Sequence, residues 1–212
     1  STSARRRRRI VVVFTLVIGA TLLGLSLNLE PGDSRFYPAT FALAAVWAVG
    51  SFASGPLHGG WAHTREGQRL ARPVVQSIAL GLSAVAVFLV GAVAVAQVPA
   101  LRDTTFAVLD HARFASLPVV ALITVVNGIA EELFFRGALF AAIDRQYTVL
   151  VSTAVYTLTT VATGNFMLGF AALVLGLLVG LQRRVTGGVL GPMITHVVWA
   201  MGMLFLLPPL LN

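Results

Sequence analysis

The chain has 212 residues, 57% of them hydrophobic and only 11% charged, with mean hydropathy +0.87 and a formal net charge of +7. A soluble domain carries about 25% charged residues, so a water-soluble globule is excluded, and the lack of cysteine excludes disulfides, thiolate catalysis and cysteine-held zinc. All the basic charge is arginine and does not interleave with aromatics, so it reads as topology and contact with membrane lipid, with no nucleic acid as partner.

Apolar runs near the ~20 residues needed to cross a bilayer recur along the chain. They predict an all-α, polytopic membrane helix bundle of about seven transmembrane segments. The basic run Arg5–Arg9 closes an N-terminal segment, residues 1–9, and abuts an apolar stretch over 10–29. That stretch runs into "NLEPGDSRFYP" and not into a small-residue cleavage site, which predicts a retained first helix. Further spans are expected near 38–55, 73–98, 117–143, 147–163, 166–182 and 189–207. Clusters of Pro, Gly and charge separate them, and "VATGNF" (161–166) predicts a tight turn or the break of a re-entrant pair. One membrane-embedded domain thus extends over 10–207, with 208–212 as a C-terminal tail.

Arginine placement sets an orientation. Segments on one side hold Arg5–Arg9, Arg65, Arg69, Arg72, Arg145, Arg183 and Arg184, whereas the other side holds Arg35, Arg102 and Arg113. The excess marks the cytoplasmic side. The expectation is an integral protein of a bacterial inner membrane, with the N-terminus cytoplasmic and the C-terminus outside.

Of eight acidic residues, only Glu131 and Glu132 fall well inside a predicted span, in "NGIAEELFFRGALF" (127–140). An acidic residue at the centre of a membrane helix costs about 3 kcal/mol on insertion scales, so it marks a candidate functional site. Glu132 and Arg136 are spaced i,i+4 with the acid first, which places them on one helical face as an ion pair. Glu131 points about 100° away, on the face of Thr124, Asn127 and Phe135, without a partner on its own helix. The unpaired carboxylate is the better candidate for proton chemistry. A structural ion-pair node, or a transporter's proton relay, would draw on the same residues.

His196, in "GPMITHVVWA", lies inside the last predicted span. A lone membrane histidine is either a helix–helix hydrogen bonder or a member of a site. At about 1.5 Å per residue, Glu131, His196 and Thr160 lie at similar depth and are expected to line one cavity. Thr163 and Asn165 come after Thr160 near the end of the fifth span. His58, His63, Arg69 and Arg72 fall in a polar loop and read as solvated surface.

"EELFFR" (131–136) has the form Glu-Glu-x-x-x-Arg, "TGG" begins at Thr186, and His196 lies ten residues beyond that threonine. Over roughly 117–207 these elements resemble the CAAX prenyl endopeptidase and bacteriocin-processing (CPBP, Abi) family of intramembrane proteases. The resemblance implies an endopeptidase whose site is sunk in the membrane. Glu131 would activate water, directly or with a divalent metal such as zinc; Glu132 and Arg136 would support it; His196 would assist as ligand or hydrogen bonder. The implied catalytic set is Glu131, Glu132, Arg136 and His196, and the implied metal-facing pair is Glu131 and His196.

Two positions depart from the family pattern. Its Phe-x-x-x-His motif aligns with Tyr156 and Thr160, and the Asn that ends its His-x-x-x-Asn motif aligns with Ala200. Threonine binds divalent metals poorly beside imidazole, and alanine offers no oxyanion donor, a group worth about 2.7–4 kcal/mol. One Glu and one His fall short of the three protein ligands usual for catalytic zinc. Asn165 would substitute only if the helix breaks near Gly164. Two function classes therefore stand side by side. One is an intramembrane endopeptidase acting on a membrane-associated peptide or protein. The other is a catalytically inactive scaffold on the protease fold, binding a protein or lipid partner. A small transporter or proton relay stands behind them.

Overall fold

A chain surrounded by hydrocarbon must satisfy its backbone N–H and C=O groups internally, and the helix does so within one segment. The computed structural model describes residues 2–113, 116–162 and 164–211, and for 111–113 the backbone alone. Thr163, Asn212 and the side chain of Arg113 lie outside the described residues. The helices are α1 (Thr2–Leu27), α2 (Phe36–Ser54), α3 (Val74–Val95), α4 (Pro99–Arg113), α5 (Leu117–Glu132), α6 (Phe140–Ala142), α7 (Thr148–Val161), α8 (Phe166–Thr186) and α9 (Leu190–Leu211). A π-helical segment, Leu133–Leu139, joins α5 to α6, and a 3-10 turn, Arg145–Tyr147, precedes α7.

Six spans are long and apolar enough to cross a membrane: α1, α2, α3, the composite Leu117–Ala142, α8 and α9. The expected seventh, near 147–163, is α7, only 14 residues long, or about 21 Å. The 3-10 turn clips it at one end and a turn at Gly164, φ 90°, clips it at the other. It still runs between the same two ends of the bundle. Near its start Arg184 reaches the carbonyls of Arg145 and Gln146; past its end Asn165 reaches the carbonyl of Thr104 on α4. Arg5–Arg9 belong to α1, arginine being a good helix former. The expected tail is helix as far as Leu211, because prolines near a helix end forfeit only its last hydrogen bonds.

The interior is built on aromatics. Trp47 of α2, wholly buried, stacks on Phe134 at 4.6 Å between ring centroids, Phe135 stands edge-on to Phe134 at 5.0 Å, and Tyr156 of α7 comes next at 4.8 Å from Phe135. Small residues let helices close up around this core, as membrane packing requires. A Cβ at Gly19 would lie 2.3 Å from the Trp47 ring. Outward-facing Val, Leu, Ile and Phe side chains, such as Phe14, Val87, Leu158 and Val185, are exposed on the helices.

The loop between α2 and α3 is more than solvated surface. It folds over the α8–α9 turn, with Trp61 N–H donating to the Thr186 carbonyl at 2.8 Å and Val189 N–H to the His58 carbonyl at 2.8 Å. "TGG" serves this crossing. Gly187 takes the left-handed conformation (φ 73°) that ends α8, and a Cβ at Gly188 would lie 2.0 Å from the Gly59 backbone. His58, His63, Arg69 and Arg72 remain exposed, with Arg72 over the Trp61 ring at 4.0 Å.

Candidate active site

Three helices deliver the polar residues. Glu131 and Glu132 end α5, and Arg136 sits one turn on, inside the π-helical segment. Arg136 Nη1 donates to Glu132 Oε1 at 3.0 Å, and neither side chain has any exposure. The carbonyl of Arg136 accepts from Arg183 Nε of α8 at 2.8 Å, which ties the wider turn to its neighbour. The guanidinium also lies over the Tyr156 ring at 4.4 Å, a favourable cation–π geometry. Gly176 of α8 leaves the room, since a Cβ there would sit 3.1 Å from Arg136 Nη2.

His196 comes from α9. Its neighbour Thr195 donates to the Ser77 carbonyl of α3 at 3.0 Å, which fixes the rotation of α9. The imidazole then touches both carboxylates. Nδ1 lies 2.6 Å from Glu132 Oε1, and Nε2 lies 3.9 Å from Glu131 Oε2. An ionised carboxylate only accepts hydrogen bonds, so with Glu132 ionised beside Arg136 the Nδ1 position carries the proton. Nε2 is thereby turned toward Glu131.

The pairing thus departs from the expectation in two respects. His196 makes its closer contact with Glu132, not Glu131, because α9 meets α5 on the ion-pair face. Glu131 also has a partner from another helix: the Tyr156 hydroxyl donates to its Oε2 at 2.9 Å. Tyr156 is the member that sequence reasoning passed over. It entered only as the aromatic preceding Thr160, although a Tyr in place of Phe adds a hydroxyl in a buried span. Thr160 itself donates to the Tyr156 carbonyl at 2.9 Å. Asn165 is engaged as the N-cap of α8, accepting from the backbone of Met167 and Leu168 at 2.9 and 3.1 Å, and is no substitute in the site.

Exposure separates the two acids. The Glu131 side chain keeps 19% exposure and His196 7%, against none for Glu132. Further polar atoms flank the site by helical spacing. Asn127 Oδ1, one turn before Glu131, and Trp199 Nε1, three residues after His196, are buried with no hydrogen-bond partner among the described residues.

Glu131, Glu132, Arg136 and His196 form one cluster over the segment that carries the motifs. Residues 113–202 match the family model Rce1-like, type II CAAX prenyl endopeptidase Rce1-like. The resemblance read from Glu-Glu-x-x-x-Arg and the TGG-to-His196 spacing therefore holds across this stretch, and the prenyl endopeptidase-like segment contains every side chain of the cluster. No curated protein and no solved structure matches the chain. With its apolar helices the chain is an integral membrane protein, and its residues 113–202 are similar to the CAAX prenyl endopeptidases.

A divalent metal does not fit this donor set. Among the described residues no group of three or more His, Asp or Glu is arranged to hold one. Nδ1 of His196 is taken by Glu132, and Glu132 Oε1 also serves Arg136. Glu131 and His196 Nε2 leave two donors where catalytic zinc uses three.

Proposed function

We propose that the chain is an intramembrane endopeptidase whose general base is Glu131. It would cleave a membrane-associated peptide by attack of water without routing the step through a metal. The observation that carries the reading is the division of labour between adjacent acids. Glu132 is sealed and neutralised by Arg136, whereas Glu131 is partly exposed with its Oε2 3.9 Å from His196 Nε2. A water held between these two atoms would lose a proton to Glu131 as its oxygen attacks the scissile carbonyl carbon. The same proton then passes to the leaving nitrogen as the C–N bond breaks, yielding a carboxylic acid and an amine. His196, held by Glu132, would orient that water by accepting a hydrogen bond from it at Nε2, and the charge that develops on the carbonyl oxygen needs a separate donor. Position 200 supplies no donor for that oxygen. Trp199 Nε1, buried and unpartnered, is the candidate in its place.

The test is cleavage of fluorogenic membrane-anchored peptides by the purified protein in lipid vesicles. Glu131→Gln is expected to lower turnover by at least about a hundredfold, the low end of a general base's contribution, with the thermal midpoint unchanged. Chelator should leave the wild-type rate as it is. Equal turnover in wild type and Glu131→Gln would remove Glu131 from the chemistry.

A second reading, the inactive scaffold, is favoured by one contact. The Tyr156 hydroxyl occupies Glu131 Oε2 and so satisfies the carboxylate without substrate. On that reading Glu131→Gln leaves biological function intact and no peptide is cut.

A further inference from the structure

A groove of about 490 Å³ runs along the outside of the bundle between α1 and α2, and shares no lining residue with the acid–histidine cluster. Ile10, Phe14 and Ile18 form one wall, and Ala45, Val49 and Ala53 form the other. Its floor is the point where the helices close: a Cβ at Gly50 would lie 2.2 Å from Thr15 Oγ1. The Thr15 hydroxyl is already spent on the Val11 carbonyl at 2.7 Å, so the floor offers it to no other acceptor. From Ile10 to Ile18 the channel is about 12 Å long, at 1.5 Å per residue, and lies parallel to the helices.

One end of the groove adjoins arginine. Ile10 comes directly after the Arg5–Arg9 run. Arg7 Nη2 donates to the carbonyl of Ala53, itself a lining residue, at 3.1 Å, and Arg8 Nη2 donates to the Pro56 carbonyl at 2.9 Å. These bonds hold the guanidinium groups at the mouth. Arg8 Nη1 is buried and has no hydrogen-bond partner among the described residues. The run carries five positive charges, and Arg9 meets the acidic Asp144 at 3.3 Å.

We propose that this groove is a binding site for one anionic phospholipid, with an acyl chain between α1 and α2 and the phosphate on Arg7 and Arg8. Each element matches a part of that ligand. The channel is apolar and runs parallel to two helices long and apolar enough to cross a membrane. Its polar end is cationic, with the Arg7 and Arg8 guanidinium groups tied to the carbonyls of Ala53 and Pro56, and guanidinium favours phosphate oxygens. A zwitterionic lipid would fill the groove equally well but would bring no net charge to the arginines. The assignment is independent of the proposed catalysis.

Native mass spectrometry of the delipidated full chain in detergent tests it, with phosphatidylglycerol and phosphatidylcholine of identical acyl chains as probes. The wild type is expected to retain one phosphatidylglycerol in preference to phosphatidylcholine. Arg7→Gln and Arg8→Gln should each reduce that preference about fivefold, the equivalent of about 1 kcal/mol per basic residue. Ala45→Trp, at an exposed position, fills the groove and should abolish the retained lipid while the thermal midpoint holds. Should Ala45→Trp prove unstable, Ala53→Leu serves as the second groove-filling variant. Equal retention of both lipids by the wild type, or undiminished phosphatidylglycerol in the groove-filled variants, would mean annular lipid only and overturn the assignment. A dimer that forms instead, and that added lipid does not dissociate, would give the groove to a second copy and overturn it as well.

Discussion

Tyr156 donates its phenolic hydroxyl to Glu131 across the interface of α5 and α7, at 2.9 Å. The ring packs against Phe135 at 4.8 Å and the Arg136 guanidinium at 4.4 Å, which restrains the hydroxyl. The bond therefore aims one carboxylate oxygen.

Tyr156→Phe keeps the ring and deletes the bond. A hydrogen bond to a charged group contributes about 1.5–3 kcal/mol, so the thermal midpoint of the purified protein should fall while the helical circular dichroism stays constant. In the peptide assay, turnover should drop more than apparent affinity, because the hydroxyl touches the base and not the peptide. An unchanged midpoint together with unchanged turnover would show that the contact is incidental.

Arg136 makes a different kind of contribution. Arg136→Ala would leave the Glu132 carboxylate buried and facing only His196, and breaking a buried pair typically costs about 3–5 kcal/mol. The yield of monodisperse protein in detergent should fall well below that of Glu131→Gln, which removes a charge from a partly exposed position. Comparable yields from the two variants would contradict the pairing as a structural element.

Two glycines should respond in opposite directions to the same substitution. Gly188→Ala would drive a methyl group to within 2.0 Å of the Gly59 backbone, separating the α2–α3 loop from the α8–α9 turn and lowering the midpoint. Gly91→Ala, in α3 with open space around the site, should be neutral or stabilise by about 0.5–1 kcal/mol, as alanine does over glycine within a helix. Thermal unfolding of both variants checks the contrast.

Arginine placement predicts a membrane orientation, and the two ends of the bundle offer places to test it. Arg9 meets Asp144 and Arg184 meets Arg145 at one end, and Asn165 meets Thr104 at the other. A reporter ahead of Arg5 is expected to score cytoplasmic and one after Leu211 external. Both reporters on the same side would mean that α7 does not traverse the bilayer with its neighbours.

Much of this arrangement was legible in the residues, for physical reasons. Charges are so costly in hydrocarbon that Glu131, Glu132 and Arg136 stand out in a run of Ala, Leu and Phe, and the i,i+4 spacing already names the Glu132–Arg136 bond. What escaped depends on distant chain. Helical spacing says nothing of which face of α9 meets α5, so it could not direct His196 Nδ1 to Glu132. Hydropathy treats Tyr156 as one more aromatic, because its hydroxyl acquires meaning only through Glu131, 25 residues away. Span counting gave α7 a little more than its 14 residues, 147–163 against Thr148–Val161, since hydropathy does not see the turn at Gly164.

The Glu132–Arg136 bond also bears on the order in which the molecule is made. Chains are synthesised from the N-terminus, and earlier segments assume structure before later ones exist. The helix bearing both acids enters the bilayer before α9, and so before His196 is available to either of them. A carboxylate whose counter-ion lay on a later helix would have to wait, ionised and alone, in hydrocarbon. Because Arg136 lies one turn away on the same helix, Glu132 arrives already neutralised, and the segment can partition as a self-contained unit. Glu131 arrives without such an escort, and its carboxylate meets the Tyr156 hydroxyl only once α7 has been delivered beside it.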